Sequence, residues 1–396
     1  MTVAPRSVTT APVKGKRVFV RVDFNVPLEG ETITDDTRIT AAMPTITWLR
    51  EHGARIILAS HLGRPKGQRT PKYSMTPVAM RLEELVGQAV KLSDAITGPE
   101  AEDAANALKD GEILLLENLR FEPGEEKNDP AFARSLAKLA DLYVNDAFGA
   151  AHRAHASTAG IADHLPAYAG LLMLGEIKAL SKVVSNPERP FVAILGGAKV
   201  SDKLAVIDNL LAKVDALVIG GGMANTFLLA HGKEIGTSLA EADLVDQATS
   251  ILDQAKQRNV QILLPVDVIV ADSIDAAAGT TVKVDQVPAD QAIFDIGPET
   301  ATAYAQAIES ARTIFWNGPM GVVEKAPFST GTRAVAAAVA KSPGFSVVGG
   351  GDSVAAIEQL GFADRIDHIS TGGGASLEYV EGRTLPGIAA IPTGEG

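Results

Sequence analysis

The chain of 396 residues carries 36 Lys and Arg against 48 Asp and Glu, a formal net charge of −12, so nucleic acid and anionic membrane surfaces would repel most of it and are excluded as main partners. It contains no cysteine, which removes disulfides and thiolate metal sites from consideration. Its length suits two cores of about 200 residues each better than one, and no uninterrupted apolar run is long enough to span a bilayer.

In chain order, the opening MTVAPRSVTTAPVKGKR holds no apolar core of a secretion signal, and a cytoplasmic location is expected. Apolar runs then alternate with stretches of helical period, the pattern of parallel sheets covered by helices on both faces, so the class is α/β. The first half offers strands RVFVRVDFN from Arg17, ARIILASHLGR from Ala54, EILLLENLR from Glu112 and DLYVNDAFG from Asp141. Between the first two, Asp36 or Thr37 opens the helix TRITAAMPTITWLREH, and Gly53 closes it. LLMLGEIKALSKVVSNPERP, from Leu171, reads as a long helix ended by Asn186, Pro187 and Pro190, and marks the domain boundary. The second half offers FVAILGG from Phe191, ALVIGGG from Ala216, QILLPVDV from Gln261, RTIFWNGP from Arg312, FSVVGGGDS from Phe345 and DHISTGGG from Asp367. Among its helices, Ser201 or Asp202 opens DKLAVIDNLLAKV, Pro298 sits near the start of PETATAYAQAIESAR, and Gly361 follows DSVAAIEQL.

Ligands of open α/β sheets bind outside the carboxyl ends of the strands. The first half ends its strands on Asp23 and Asn25, His61 and Arg64, Glu117 and Arg120, and Asn145 and Asp146, with Arg153 shortly after. Together with Arg38 at the start of the first helix, four arginines and a histidine at one sheet edge of a net-acidic chain point to a small, highly charged anion. The guanidinium fork matches phosphate and carboxylate oxygens. For any one arginine alone, a surface residue with an acidic neighbour is the competing reading.

The second half ends its strands on glycines: Gly196-Gly197, Gly220-Gly221-Gly222, Gly318, Gly349-Gly350-Gly351 and Gly372-Gly373-Gly374. They permit close backbone approach ahead of helix N-termini and suggest a nucleotide, with tight turns alone as the alternative. Asp352 could hold Mg²⁺ beside a polyphosphate or cap its helix, and Ser353 could supply the cap instead. Lys199 and Lys203 follow Gly196 and Gly197 one helical turn apart and are expected to present a shared face, although the stretch does not match G-x-x-x-x-G-K-[ST]. His152 and His155 in AHRAHAS fit no zinc pattern and are read as solvated or structural.

These residues fall within long motifs: RVDFNVPL at Arg21, DDTRI at Asp35, SHLGRP at Ser60, LLENLRF at Leu115 and VNDAFGAAHRAHAS at Val144. LGGAKVSDK at Leu195, GGGMANTF at Gly220, WNGPMGVVE at Trp316, GGGDS at Gly349 and STGGGASLEYVEG at Ser370 continue them. Over nearly its whole length the chain closely resembles the phosphoglycerate kinases. The departures, Tyr379 where an aliphatic residue is more usual and Met320 at a variable position, touch no charged site residue.

The resemblance implies two doubly wound, Rossmann-like parallel-sheet domains joined by a long helix and a hinge. A triose-phosphate-binding domain would span 1–168 with the tail 377–396 packed back on it, an interdomain helix 169–188, and a nucleotide-binding domain 189–376. It implies a glycolytic kinase, a monomer, that moves a phosphoryl group reversibly between 1,3-bisphosphoglycerate and Mg-ADP, giving 3-phosphoglycerate and Mg-ATP. Asp23, Asn25, Arg38, His61, Arg64, Arg120 and Arg153 would hold the triose phosphate. Lys199, Lys203, Gly220, Gly221, Gly297, Asn317, Glu324, Gly351, Asp352 and Ser353 would surround ATP or ADP, with Glu324 at the ribose and Asp352 on Mg²⁺.

The nucleophile of the ATP-consuming direction is a carboxylate, already ionised at neutral pH, so no general base is required. Arg38 and Lys203 are expected to stabilise the moving phosphoryl group, with Lys199 as a second cation and amides near Gly350, Gly351, Gly373 and Gly374 as donors. Hinge closure is expected about the helix from Leu171 to Val184 and the segment near Ser370 and Thr371. An NAD-dependent oxidoreductase would need G-x-G-x-x-G after a first strand, for which there is no convincing instance. A non-catalytic nucleotide-binding or scaffold protein is hard to reconcile with a full set of charged site residues.

Overall fold

The computed structural model describes residues 4–394. The chain divides into two compact units, Met1–Lys178 with Thr384–Gly396, and Ala179–Arg383.

The first unit is built on six parallel strands in the order Val90–Ser93, Ile113–Leu116, Arg55–Ala59, Arg17–Arg21, Leu142–Asn145 and Ala167–Ala169. Most of these strands are buried on both faces, which is why they read as continuous apolar runs rather than as alternating ones. From the central strand Val18 and Val20 join Ile56, Leu58, Leu115 and Val144 in one core, packed on the helices Thr37–Glu51 and Thr76–Val86 through Ile39, Ile46, Leu49 and Leu82. Each such side chain, fully buried, contributes about 1.5–3 kcal/mol. Phe19 and Arg21 alternate onto the opposite face, where Phe19 packs on Tyr143 of the neighbouring strand. Strand order reverses beside Arg17–Arg21, so its carboxyl end and that of Leu142–Asn145 flank the crevice left at such a point.

The first helix begins at Thr37 as expected, but neither Asp36 nor Thr37 caps it. Asp36 holds the N-cap position with its carboxylate on Arg81 at 2.8 Å, and the first helical N–H is met instead by Asp35, one residue earlier, whose Oδ1 accepts from the Thr37 N–H at 2.8 Å and hydroxyl at 2.5 Å.

The second unit holds six parallel strands in the order Gln261–Leu263, Ala216–Ile219, Phe191–Leu195, Thr313–Asn317, Phe345–Gly349 and His368–Ile369. This is the strand order of a dinucleotide-binding sheet, with its reversal between Phe191–Leu195 and Thr313–Asn317. Ile194, Val218, Ile314, Trp316 and Val348 form the core with helices Pro298–Glu309 and Thr330–Lys341 through Tyr304, Ile308, Val335 and Val339. QILLPVDV, expected as one strand, is two. Pro265 lies between them and cannot donate to a ladder, so Gln261–Leu263 ends the parallel sheet while Asp267–Ala271 enters a separate antiparallel sheet with Thr280–Lys283 and Ala292–Ile296.

The long helix covers Leu171–Val184 rather than 169–188, and the division between units falls inside it. The returning tail begins at Thr384 rather than at 377. Gly387 N–H donates to Ala151 O at 2.8 Å and Arg6 N–H to Pro392 O at 2.8 Å, whereas Val380 O accepts from Asn209 of the second unit.

Candidate active site

In the first unit the carboxyl end of the central strand delivers Asp23 to the crevice, where its Oδ2 pairs with Arg38 Nη1 at 2.5 Å. Asp23 Oδ1 lies 4.0 Å from His61 Nδ1. Asn25 Oδ1 accepts from the Gly63 N–H at 2.8 Å, and Arg120 Nη1 donates to the Gly63 carbonyl at 2.9 Å, so the loop after the second strand is pinned from both sides. Arg120 is also 3.4 Å from Glu126. Asp23, Asn25, Arg38, His61 and Arg120 thus form one connected group. Arg64, beside Gly63, and Arg153 are exposed, and Arg153 Nε donates to His152 Nε2 at 3.2 Å.

His61 is buried, and desolvation together with the charges of Arg21, Arg120 and Arg38 holds its pKa well below the ordinary histidine value. His155, also buried, is pushed down to about 4 by desolvation and then by Arg21, Arg120 and Arg153. It is a neutral structural histidine, which settles one of the two alternatives for AHRAHAS. Beneath the group lie Arg21 and Glu125, both fully buried, whose roles the sequence did not reveal. Arg21 stands inside RVDFNVPL, but nothing local says that its partners are Ser157, 136 residues away, and Glu125.

Asp146 at the end of Leu142–Asn145 turns inward, accepting from the Met173 N–H at 3.2 Å at the start of the long helix. Burial pushes its carboxyl up to about 6.

In the second unit two strand ends meet at the reversal of strand order. A Cβ on Gly196 would sit 2.1 Å from Pro319 O, and one on Gly318 2.2 Å from Gly196 O, so both positions demand glycine. Lys203 Nζ donates to Asn317 Oδ1, and Asn317 Nδ2 donates to Gly349 O at 2.8 Å, tying Lys203 to two strand ends. Desolvation lowers the pKa of half-buried Lys203, opposed by Asp202, Asp352 and Glu381.

The expected shared face of Lys199 and Lys203 does not exist. Residues 201–203 form a turn, the helix is Leu204–Leu211, and Lys203 occupies its N-cap position. Neither Ser201 nor Asp202 caps it: the Ser201 N–H and hydroxyl donate to the Glu241 carboxylate at 3.0 and 2.5 Å. Lys199 is exposed.

Helix Gly351–Gln359 starts after Gly350, whose φ of +93° favours glycine. Ser353 does not cap it; its buried Oγ accepts from the Gly318 N–H at 2.5 Å. Nor does Asp352, which lies exposed in the first turn. Among the described residues no group of three or more metal-capable side chains exists.

A cavity of about 330 Å³ opens here, lined by Gly221, Glu324 and Asp352 together with apolar Leu239, Val268, Phe294 and Val322. Part of its apolar wall, Val268, Ile293, Phe294 and Ile296, comes from the antiparallel sheet that the sequence did not resolve. Gly297 is buried behind it, where a Cβ would meet the Asp267 carboxyl at 2.2 Å. Asp267 accepts from the Glu299 and Thr300 N–H groups and so caps helix Pro298–Glu309. This accounts for a glycine at 297 without a ligand.

The family model described as phosphoglycerate kinase matches residues 8–383. The phosphoglycerate kinase of Roseiflexus castenholzii is 60% identical over 98% of this chain and 99% of its own length, and that of Moorella thermoacetica is 60% identical over 96% and 97%. Among solved structures, phosphoglycerate kinase from Coxiella burnetii aligns with a TM-score of 0.90 at 44% identity, covering 98% of both chains. The enzyme from Pyrococcus horikoshii aligns at 0.85 and 37%, covering 97% of this chain and 98% of its own. The chain belongs to the phosphoglycerate kinase family.

Proposed function

We propose that this chain performs its family's reaction, reversible phosphoryl transfer between 1,3-bisphosphoglycerate and Mg-ADP to give 3-phosphoglycerate and Mg-ATP, by electrostatic positioning without a general base. In the ATP-consuming direction the carboxylate of 3-phosphoglycerate attacks the γ-phosphorus, the bond to the β,γ-bridging oxygen breaks, and ADP leaves with its electrons. No proton changes hands at the reacting centre, so the protein's task is to hold two anions together. The observation that most supports this reading is the contrast between the two sheet crevices: a cationic group around Asp23, Arg38, His61 and Arg120 in one unit, and glycine strand ends with Lys203 in the other.

Arg38, His61, Arg120, Arg64 and Arg153 are assigned to the phosphate and carboxylate of the triose, with Asp23 and Asn25 holding the frame. The cavity beside Gly221 and Glu324 is assigned to the nucleoside. Lys203 is assigned to the moving phosphoryl group, since a half-buried ammonium acts through less solvent screening than exposed Lys199. Amides at Gly350, Gly351, Gly373 and Gly374 add donors. Magnesium, when bound with the nucleotide, neutralises phosphate oxygens, and one free carboxylate, Asp352, suits an ion held otherwise by phosphates and water.

Because the two groups lie on different units, we assign the helix Leu171–Val184 and the stretch at Ser370 and Thr371 as hinges for closure. Small-angle scattering with both substrates bound is expected to show compaction, and unchanged dimensions would count against it. For the activity itself, a coupled assay with 3-phosphoglycerate, ATP and Mg²⁺ is expected to show turnover; none from folded protein would overturn the reading.

A further inference from the structure

Arg21 is fully buried beneath the cationic crevice, on the face of the central strand opposite Val20. Its guanidinium donates from Nε to Ser157 Oγ at 2.7 Å, from Nη1 to Val22 O at 2.5 Å, and from Nη2 toward His61 Nδ1 at 3.2 Å. Ser157, having accepted from Arg21, directs its own hydroxyl hydrogen to Glu125 Oε1 at 2.5 Å, while its N–H donates to Glu125 Oε2 at 3.0 Å. Glu125 Oε1 stands 4.0 Å from Arg21 Nη2 and supplies the buried counter-charge.

A guanidinium has five donors, no acceptor, and does not lose its proton in a protein. The nitrogen that faces it must present a lone pair. An imidazolium, or a neutral ring protonated on Nδ1, would set N–H against N–H inside the protein. The only form of His61 compatible with this contact carries its single proton on Nε2.

We infer that Arg21 is a positioning residue that fixes His61 as the neutral Nε2–H tautomer, so that this histidine meets the triose phosphate as an uncharged hydrogen-bond donor and not as a cation. The second half of this inference rests on the proposed triose site; the tautomer rests on the contact alone. The other groups around the ring agree. Arg38 and Arg120 approach from other elements and oppose a further proton, and Asp23, 4.0 Å from Nδ1, is already paired with Arg38. The positive charge of the crevice then comes from arginines, which do not titrate, and its affinity for an anion does not fade as pH rises through the usual histidine range.

The test is ¹⁵N NMR of the full chain labelled on histidine, with the His61 signals assigned by their absence in His61→Gln. From about pH 5.5 to 8, Nε2 is expected to stay protonated and Nδ1 bare, with 3-phosphoglycerate shifting the Nε2 resonance. A doubly protonated ring in that range, or a proton on Nδ1, would overturn the assignment. If the tautomer is as stated but 3-phosphoglycerate leaves the signal unmoved, the role at the triose site fails while the tautomer stands. Arg21→Met is expected to release the tautomer, so that a share of His61 carries its proton on Nδ1 while the buried ring stays neutral in this range; a ring still protonated on Nε2 alone would refute the role of Arg21. Should that variant not fold, His61→Gln, whose amide reaches the Nε2 position, is expected to bind 3-phosphoglycerate about 10-fold tighter than His61→Asn, which reaches only Nδ1. Equal losses would contradict delivery through Nε2.

Discussion

Asp295 offers a charge whose cost can be worked from its surroundings. It lines the nucleotide-side cavity and is 2% exposed. Its Oδ2 accepts from the Gly331 N–H at 2.8 Å and its Oδ1 from the Ile296 N–H at 2.9 Å, while a Cβ on Gly321 or Gly331 would fall 2.3 or 2.4 Å from Oδ1. Burial pushes its pKa from 3.8 to about 7, the backbone N–H groups opposing only part of that rise. Between those values the folded state binds the proton that the unfolded state has released, so stability is highest in acid and declines as pH rises toward about 7. At about 1.36 kcal/mol per pH unit, the wild-type chain loses roughly 3 kcal/mol from this group between about pH 5 and pH 8. Asp295→Asn removes the titration but leaves one backbone N–H without its acceptor, a cost of about 1–3 kcal/mol that does not vary with pH.

Relative to wild type, the variant is therefore expected to gain roughly 3 kcal/mol on going from about pH 5 to about pH 8, whatever its absolute stability. Other titrating groups cancel in that double difference. The assay is urea unfolding followed by Trp316, fully buried in the same unit, in a Trp48→Phe background that leaves it as the only indole. Profiles that run parallel to within about 0.5 kcal/mol would refute the reasoning, because they would mean that burial does not hold this carboxyl protonated.

Lys203→Met is expected to lower kcat by about 10²–10³, the loss typical of a transition-state donor, with the KM for 3-phosphoglycerate little changed; a rise in KM alone, from steady-state kinetics, would make Lys203 a uniform binding contact. Asp352→Asn is expected to weaken Mg-ADP binding by calorimetry while leaving 3-phosphoglycerate binding intact, and equal loss at both would point to a structural role. Asp35→Ala is expected to cost about 0.5–1.5 kcal/mol by removing the acceptor of the first N–H of the helix that carries Arg38; a change within about 0.3 kcal/mol in urea unfolding would show that this acceptor is dispensable.

Local signals placed most of the charged site residues. His61, Arg120, Asn317 and Asp352 follow recognisable strand runs, and the carboxyl end of a parallel strand is where a side chain reaches the crevice. Most of what failed had a neighbour from elsewhere in the chain as its cause. Ser201 looks like a helix cap until Glu241, forty residues on, takes both its donors. Asp36 looks like one until Arg81 binds it. QILLPVDV carries its own break in Pro265, but that its two pieces enter different sheets is decided by the strands they pair with.

The sequence by itself therefore determined the fold class, the family and the identities of most of the residues at the two crevices, because strand period, glycine turns and helix starts are set by neighbours along the chain. Tertiary structure alone decided which of those residues share a site and in what state. Lys203 meets Asn317 across 114 positions and Arg21 meets Ser157 across 136. The proton on His61 and the charge on Asp295 follow from burial and from partners that folding, not sequence spacing, brings within hydrogen-bond distance.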